Sequence, residues 1–180
     1  MWVGALLAAV LGAVLWGTGS GQIGGNPVAG LSAREAVALA NAWFARGEPV
    51  TSFITTEALF LKWPDGREAR VSLPANETYV AVAPYVNQTH PCRVHYISSC
   101  RAELPDTPFA VTARTADGRV VFDGMVTSLA NGFIELWLPR QLELILTVKA
   151  PDLGLAGEGR ISTRDGAPTC ITDVRLQRAG

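Results

Sequence analysis

The segment Thr89-His90-Pro91-Cys92-Arg93-Val94-His95-Tyr96-Ile97-Ser98-Ser99-Cys100 holds both histidines of the chain and two of its three cysteines. The third, Cys170, stands seventy residues downstream in a strand-like stretch near the C-terminus. Thiolates and imidazoles concentrated in this way are ligands for Cu(I) or Zn(II), although a disulfide with one spare thiol leaves a similar trace. Pro91 biases His90 toward extended backbone, and in an extended run His90 and Cys92 project to the same face. His95 folds back over Cys92 if the chain turns after it, and the same loop must return Cys100. The C-x2-C and H-x3-H spacings of zinc fingers are missing. A Cys100–Cys170 bond would contribute roughly 4 kcal/mol in the chain-entropy model and Cys92–Cys100 about 2.5 kcal/mol. Spacing and energy therefore leave a metal site and a structural disulfide both open.

Composition narrows the partners. Of 180 residues, 48% are hydrophobic and 17% charged, enough apolar material for one large domain or two small ones. Fifteen basic and sixteen acidic residues give a net charge of −1, which argues against nucleic acid and against an anionic membrane surface. The first sixteen residues, MWVGALLAAVLGAVLW, carry no charge. As a helix they reach about 24 Å, short of a roughly 30 Å hydrocarbon core, which suits a signal-peptide h-region. With the uncharged GTGSGQIGG tail they would instead make a tilted anchor. Either way the remainder is expected outside the cytoplasm, touching membrane only through this segment if it is uncleaved. There thiols oxidise unless metal, burial or a reductase protects them, and an odd number leaves one over.

The elements that must position the cluster follow from patterning. Residues 17–30 are Gly-rich and read as a tether, so residues 1–30 form a leader and linker. Ser32 and Glu35 make a capping box, and Ala36, Leu39, Ala40, Trp43 and Phe44 fall on one helical stripe that Gly47 and Pro49 end. Ala58–Trp63 and Glu68–Leu73 flank a Pro-Asp-Gly-Arg turn, and Tyr79–Val86 leads a third strand into the cluster. Residues 31–104 thus read as an α+β domain, a helix packed on a small antiparallel sheet. Pro105 to Pro108 mark a boundary. Residues 105–180 read as an all-β sandwich, with strands at Phe109–Arg114, Arg119–Asp123, Met125–Leu129, Phe133–Leu138, Leu142–Lys149, Glu158–Thr163 and Cys170–Leu176. The sequons at Asn76 and Asn87 matter only in a glycosylating host, and the tryptophans read as core. There is no P-loop, dinucleotide fingerprint or Ser/His/Asp order.

The segments YVAVAPYVNQTHPCRVHYISSCRAEL, NGFIELWLPR and APTCITDVRL together resemble the CueP family of periplasmic copper-binding proteins. The likeness runs from about Leu31 to Leu176, and Cys92, Cys100 and Cys170 fall one by one on the family's three cysteines. His95 takes the place of the histidine within the motif and His90 the position before the first cysteine. The resemblance implies an α+β N-terminal domain that forms a homodimer, a C-terminal β-sandwich, and copper sequestration outside the cytoplasm. It further implies delivery to a client cuproenzyme and thiol-driven reduction of Cu(II) to Cu(I). On this reading Cys92, Cys100 and Cys170 hold Cu(I), His95 assists and His90 is a weaker ligand, with Zn(II) as a possible substitute. Two other readings stand beside it. One is a thiol-disulfide oxidoreductase using Cys100 and Cys170, which the lack of C-x-x-C disfavours; the other is a structural module stapled by one disulfide.

Overall fold

The computed structural model describes residues 25–178; the apolar leader and most of the tether lie outside the described residues. In chain order the elements are α1 (Ala33–Ala45), β1 (Thr51–Ile54), β2 (Ala58–Lys62), β3 (Glu68–Ser72), β4 (Glu77–Val82), β5 (Pro108–Thr115) and β6 (Val120–Thr127). They continue with β7 (Ile134–Pro139), β8 (Glu143–Ala150), a 3-10 turn at Pro151–Leu153, β9 (Leu155–Ser162), β10 (Cys170–Ile171) and β11 (Gln177–Arg178). Among the described residues no helix is long and apolar enough to cross a membrane.

Helix α1 starts as its capping box requires. Ser32 Oγ accepts the Glu35 amide at 3.3 Å while the Glu35 carboxylate accepts the Ser32 amide at 2.8 Å. Gly47, at φ +68°, takes the left-handed turn that ends the helix. The buried stripe is Ala33, Ala36, Val37, Ala40 and Trp43; Leu39 and Phe44 sit at its margin, half-buried.

Three sheets follow. β1, β2 and β3 form an antiparallel meander. β4 lies between β7, antiparallel, and β10, parallel. The third sheet has the order β11-β9-β8-β5-β6. The middle sheet is covered on both faces, and strict alternation along β4 shows how. Tyr79, Ala81 and then Ala83 enter a core with α1, β1, β2, Ile97, Phe133 and Cys170. Val80 and Val82 enter a second core with Phe109, Val111, Ile134, Leu136, Leu146, Val148 and Ile171. The run Tyr79-Val80-Ala81-Val82-Ala83 is therefore apolar without interruption because neither face meets water. A helix with a small sheet and a β-rich remainder match the expected fold class, but β4, expected as the third strand of the small sheet, pairs instead with β7 and β10 from later in the chain.

Several strand limits differ from the sequence reading. β1 has no clear sequence signal because it is only four residues long and begins two residues after Pro49. Arg119–Asp123 and Met125–Leu129 form one strand, β6, since Gly124 stays in the ladder opposite Val111. Cys170–Leu176 pairs with β4 only at Cys170 and Ile171, opposite Ala81 and Val82.

The C-terminal segment is seated closely against β9. A Cβ on Gly157 would stand 2.3 Å from the Arg175 carbonyl oxygen, which is backbone and has no side-chain freedom. Gly157→Ala is expected to destabilise the protein by about 1–3 kcal/mol, as overpacking does. A denaturant melt reads this directly; an unshifted midpoint would show that the Arg175 backbone yields.

Candidate metal centre

The geometry begins at the backbone. His95 pairs with the end of β1: the Ile54 amide donates to the His95 carbonyl at 2.9 Å. The His95 amide donates to Thr169 Oγ1 at 3.1 Å, and that hydroxyl donates to the Ile54 carbonyl at 2.6 Å. The Arg93 carbonyl accepts the amides of both Thr169, at 3.0 Å, and Cys170, at 3.3 Å. The motif is thereby fastened between β1 and the residue that precedes Cys170. Thr89 Oγ1 donates to the Thr172 carbonyl at 2.6 Å and Arg93 to the Gly166 carbonyl at 3.0 Å, which fixes the same two segments at their flanks.

The return of Cys100 uses a helical turn. The amides of Ser99 and Cys100 both donate to the Tyr96 carbonyl, at 3.1 and 2.8 Å, while fully buried Ile97 anchors the turn in the core. On the approach, the Glu103 carboxylate accepts the amides of Val86, Asn87 and Gln88. Desolvation opposes its ionisation, but these amides outweigh it and hold Glu103 at about 2.

All five expected residues arrive in one place. His90, Cys92 and Cys100 have ligand atoms within 4.8 Å of one another, and so do His95, Cys100 and Cys170. The Cys92 and Cys100 sulfurs are 3.7 Å apart, against about 2.05 Å for a bonded pair. All three cysteines are free, so neither disulfide weighed from the sequence is formed. Cys92 and Cys100 are half-buried, Cys170 is 2% exposed and His95 is fully buried.

The His95 ring lies among aromatic rings, 4.4 Å from Phe133 and 6.1 Å from Tyr79 between centroids. Neither Nδ1 nor Nε2 has a hydrogen-bond partner. A buried polar group left unpaired costs about 1–3 kcal/mol, so these nitrogens call for an explanation. A metal ion held together with the neighbouring cysteines would supply one. Below the ring, Glu135 accepts from Tyr79 Oη at 2.6 Å and from Asn41 Nδ2 at 2.8 Å. Burial raises the Glu135 carboxyl above its ordinary value.

The three thiols are electrostatically unequal. The Cys170 thiol beside Cys100 favours the Cys100 thiolate, and against the cost of burial the nearby His95 adds to this, so Cys100 lies far below the ordinary thiol value. Cys170 is raised, first because it keeps the proton it shares toward Cys100 and then because it is buried. Burial pushes Cys92 up, and the adjacent Cys100 charge raises it further. Of the three, Cys100 is the thiol most readily ionised.

Thr169, Glu135 and Tyr79 were missed from sequence. Glu135 carried a usable signal, as the lone charge in the apolar strand Ile134-Glu135-Leu136-Trp137-Leu138. Thr169 carried none.

The inequality of the thiols has a kinetic signature. The thiolate is the reactive form, so a lowered Cys100 value keeps alkylation fast as pH falls below neutrality, where ordinary thiols stop reacting. Mass-resolved alkylation between pH 5 and 9 is expected to label Cys100 at a nearly constant rate and Cys92 at a rate that rises with pH. Cys170→Ala removes the stabilising thiol and is expected to move the Cys100 profile upward by at least about one pH unit. Equal pH profiles for Cys92 and Cys100 in the parent protein would contradict this ordering.

Comparison with known proteins accords with this geometry. The family model described as periplasmic copper-binding protein CueP matches residues 36–175. The crystal structure of S.CueP superposes with a TM-score of 0.76 at 32% identity, covering 83% of this chain and 91% of that one. A search of curated proteins finds no significant match. Motif, fold and extent of match agree, and the chain belongs to the CueP family of periplasmic copper-binding proteins.

Proposed function

We propose that this protein sequesters Cu(I) outside the cytoplasm, with Cys92, Cys100 and Cys170 as thiolate ligands, His95 as an auxiliary ligand and His90 as a weaker one. The observation that carries the reading is the fully buried His95 ring, unpartnered at both nitrogens and set within 4.8 Å of two cysteine sulfurs. Copper is the cargo, and the donor set suits its reduced form. Soft thiolates in a low-coordinate arrangement favour Cu(I), whereas Zn(II) takes four tetrahedral ligands in structural sites. Each set here offers three.

The reading extends to Cu(II). A thiolate and a thiol can reduce two Cu(II) ions to two Cu(I), forming one disulfide and releasing one proton. The pair at 3.7 Å, Cys92 and Cys100, has the shortest path to that bond, and the Cys100 thiolate is the ready electron donor. Transfer of Cu(I) to a client cuproenzyme is part of the same reading, as are export by the N-terminal segment and pairing through residues 31–104. A general thiol-disulfide oxidoreductase fits less well, because Cys170 at 2% exposure is closed to a protein disulfide.

The test is anaerobic titration with Cu(I) against a competing chelator, with thiols counted before and after. The parent chain is expected to bind Cu(I) with its thiols reduced. The Cys100→Ser/Cys170→Ser double variant is expected to bind at least about 100-fold more weakly, about 2.8 kcal/mol. Full stoichiometry and affinity in the double variant would remove these residues from the site.

A further inference from the structure

Cys100 is common to two sets of three ligand atoms. His90, Cys92 and Cys100 make one, and His95, Cys100 and Cys170 make the other. The sets differ in access. His90 and Cys92 are partly exposed, and His90 lines a cavity of about 380 Å³ together with Tyr85, Gln88, Thr89 and Arg101. His95 and Cys170 are 0% and 2% exposed. An ion arriving from solvent meets the first set before the second.

We propose that the two sets are successive stations for one Cu(I) ion: the outer set receives it, the inner set holds it, and Cys100 stays bound throughout. This rests on the copper reading above and deepens it. The transfer is a ligand exchange. The bonds from Cu(I) to His90 and Cys92 break, those to His95 and Cys170 form, and the bond to Cys100 is kept. The proton leaving the Cys170 thiol ends on Cys92, so the charge of the site and the oxidation state of the ion are unchanged. The retained bond spares the ion a state with no protein ligand.

The direction follows from solvation. A His95 nitrogen gives up no hydrogen bond when it takes the ion, because it has none to lose. A His90 nitrogen, partly exposed at an open cavity, must exchange water for metal. For the imidazoles, binding therefore gains more at the inner set. The Cys92–Cys100 separation of 3.7 Å keeps the outer set compact enough to hold an ion during the exchange.

The test separates arrival from retention in the full chain. Uptake is followed by stopped flow from a weak coloured Cu(I) chelate, and loss is followed into a strong one, both without oxygen. Cys92→Ser is expected to show its main defect in uptake, slowed by about tenfold or more, and Cys170→Ser in loss, faster by about tenfold or more. A readout on the unsubstituted protein guards against misfolded variants. With Ag(I) as a redox-inert probe, one equivalent is expected to shift the ¹⁵N imidazole resonances of His95 and leave those of His90 in place. Equal partition of both defects between uptake and loss, or His90 held at one equivalent, would overturn the two-station arrangement while leaving a copper site. A parent protein that binds neither Cu(I) nor Ag(I) would overturn the copper reading itself, and the stations with it.

Discussion

The Arg93 carbonyl accepts two amides from a segment more than seventy residues away, those of Thr169 and Cys170. Beside it, the Thr169 hydroxyl accepts from His95 and donates to Ile54, so one side chain joins three parts of the chain. These bonds decide where Cys170 lies relative to the motif. Together with the pairing of Cys170 and Ile171 on β4, they fix the distance of the C-terminal sulfur from Cys100. They are sheltered as well, since Thr169 is 1% exposed and Ile54 and His95 are fully buried. A sheltered hydrogen bond has no water to compete with it, and leaving its partners unpaired would be costly. The clamp therefore sets the geometry of the cluster more firmly than the cysteines could by themselves.

Beside the clamp the fold packs apolar and aromatic side chains around His95 and Cys170. Phe133 and Tyr79 flank the His95 ring, and Ala81 stands opposite Cys170 in the parallel pairing of β4 and β10. In such surroundings thiols resist ionisation, which explains why Cys170 and Cys92 are pushed up. Cys100 escapes because a neighbouring thiol and an imidazole both favour its charge. Burial and partnership thus act in opposite senses within a few ångströms, and the unequal thiols result.

Much of this was legible in the chain. Ser32 and Glu35 announced the helix start, because a capping box is local chemistry. The hairpin of β2 and β3 was visible from its turn, and the ligand types and their crowding were plain in residues 89–100. Proximity of Cys170 came from family resemblance, since no local rule specifies a parallel pair between strands so far apart. The role of Thr169 was invisible for the same reason: a threonine before a cysteine has no pattern, and its value lies in three distant partners. The burial of β4 on two faces was written in its unbroken apolar run, but which strands would cover it was not.

The central position of β4 also governs how the chain folds. Its two neighbours, β7 and β10, come from much later in the sequence, and β10 forms almost at the end. Pairings of such high contact order form slowly. Until Thr169 docks on Arg93, the inner cysteine is missing and Cys92 and Cys100 have only each other. The interval between collapse of the early hairpin and arrival of the C-terminal strand is a window of oxidative vulnerability. Its length is set by topology, and a captured ion or a reducing partner would close it before the fold does.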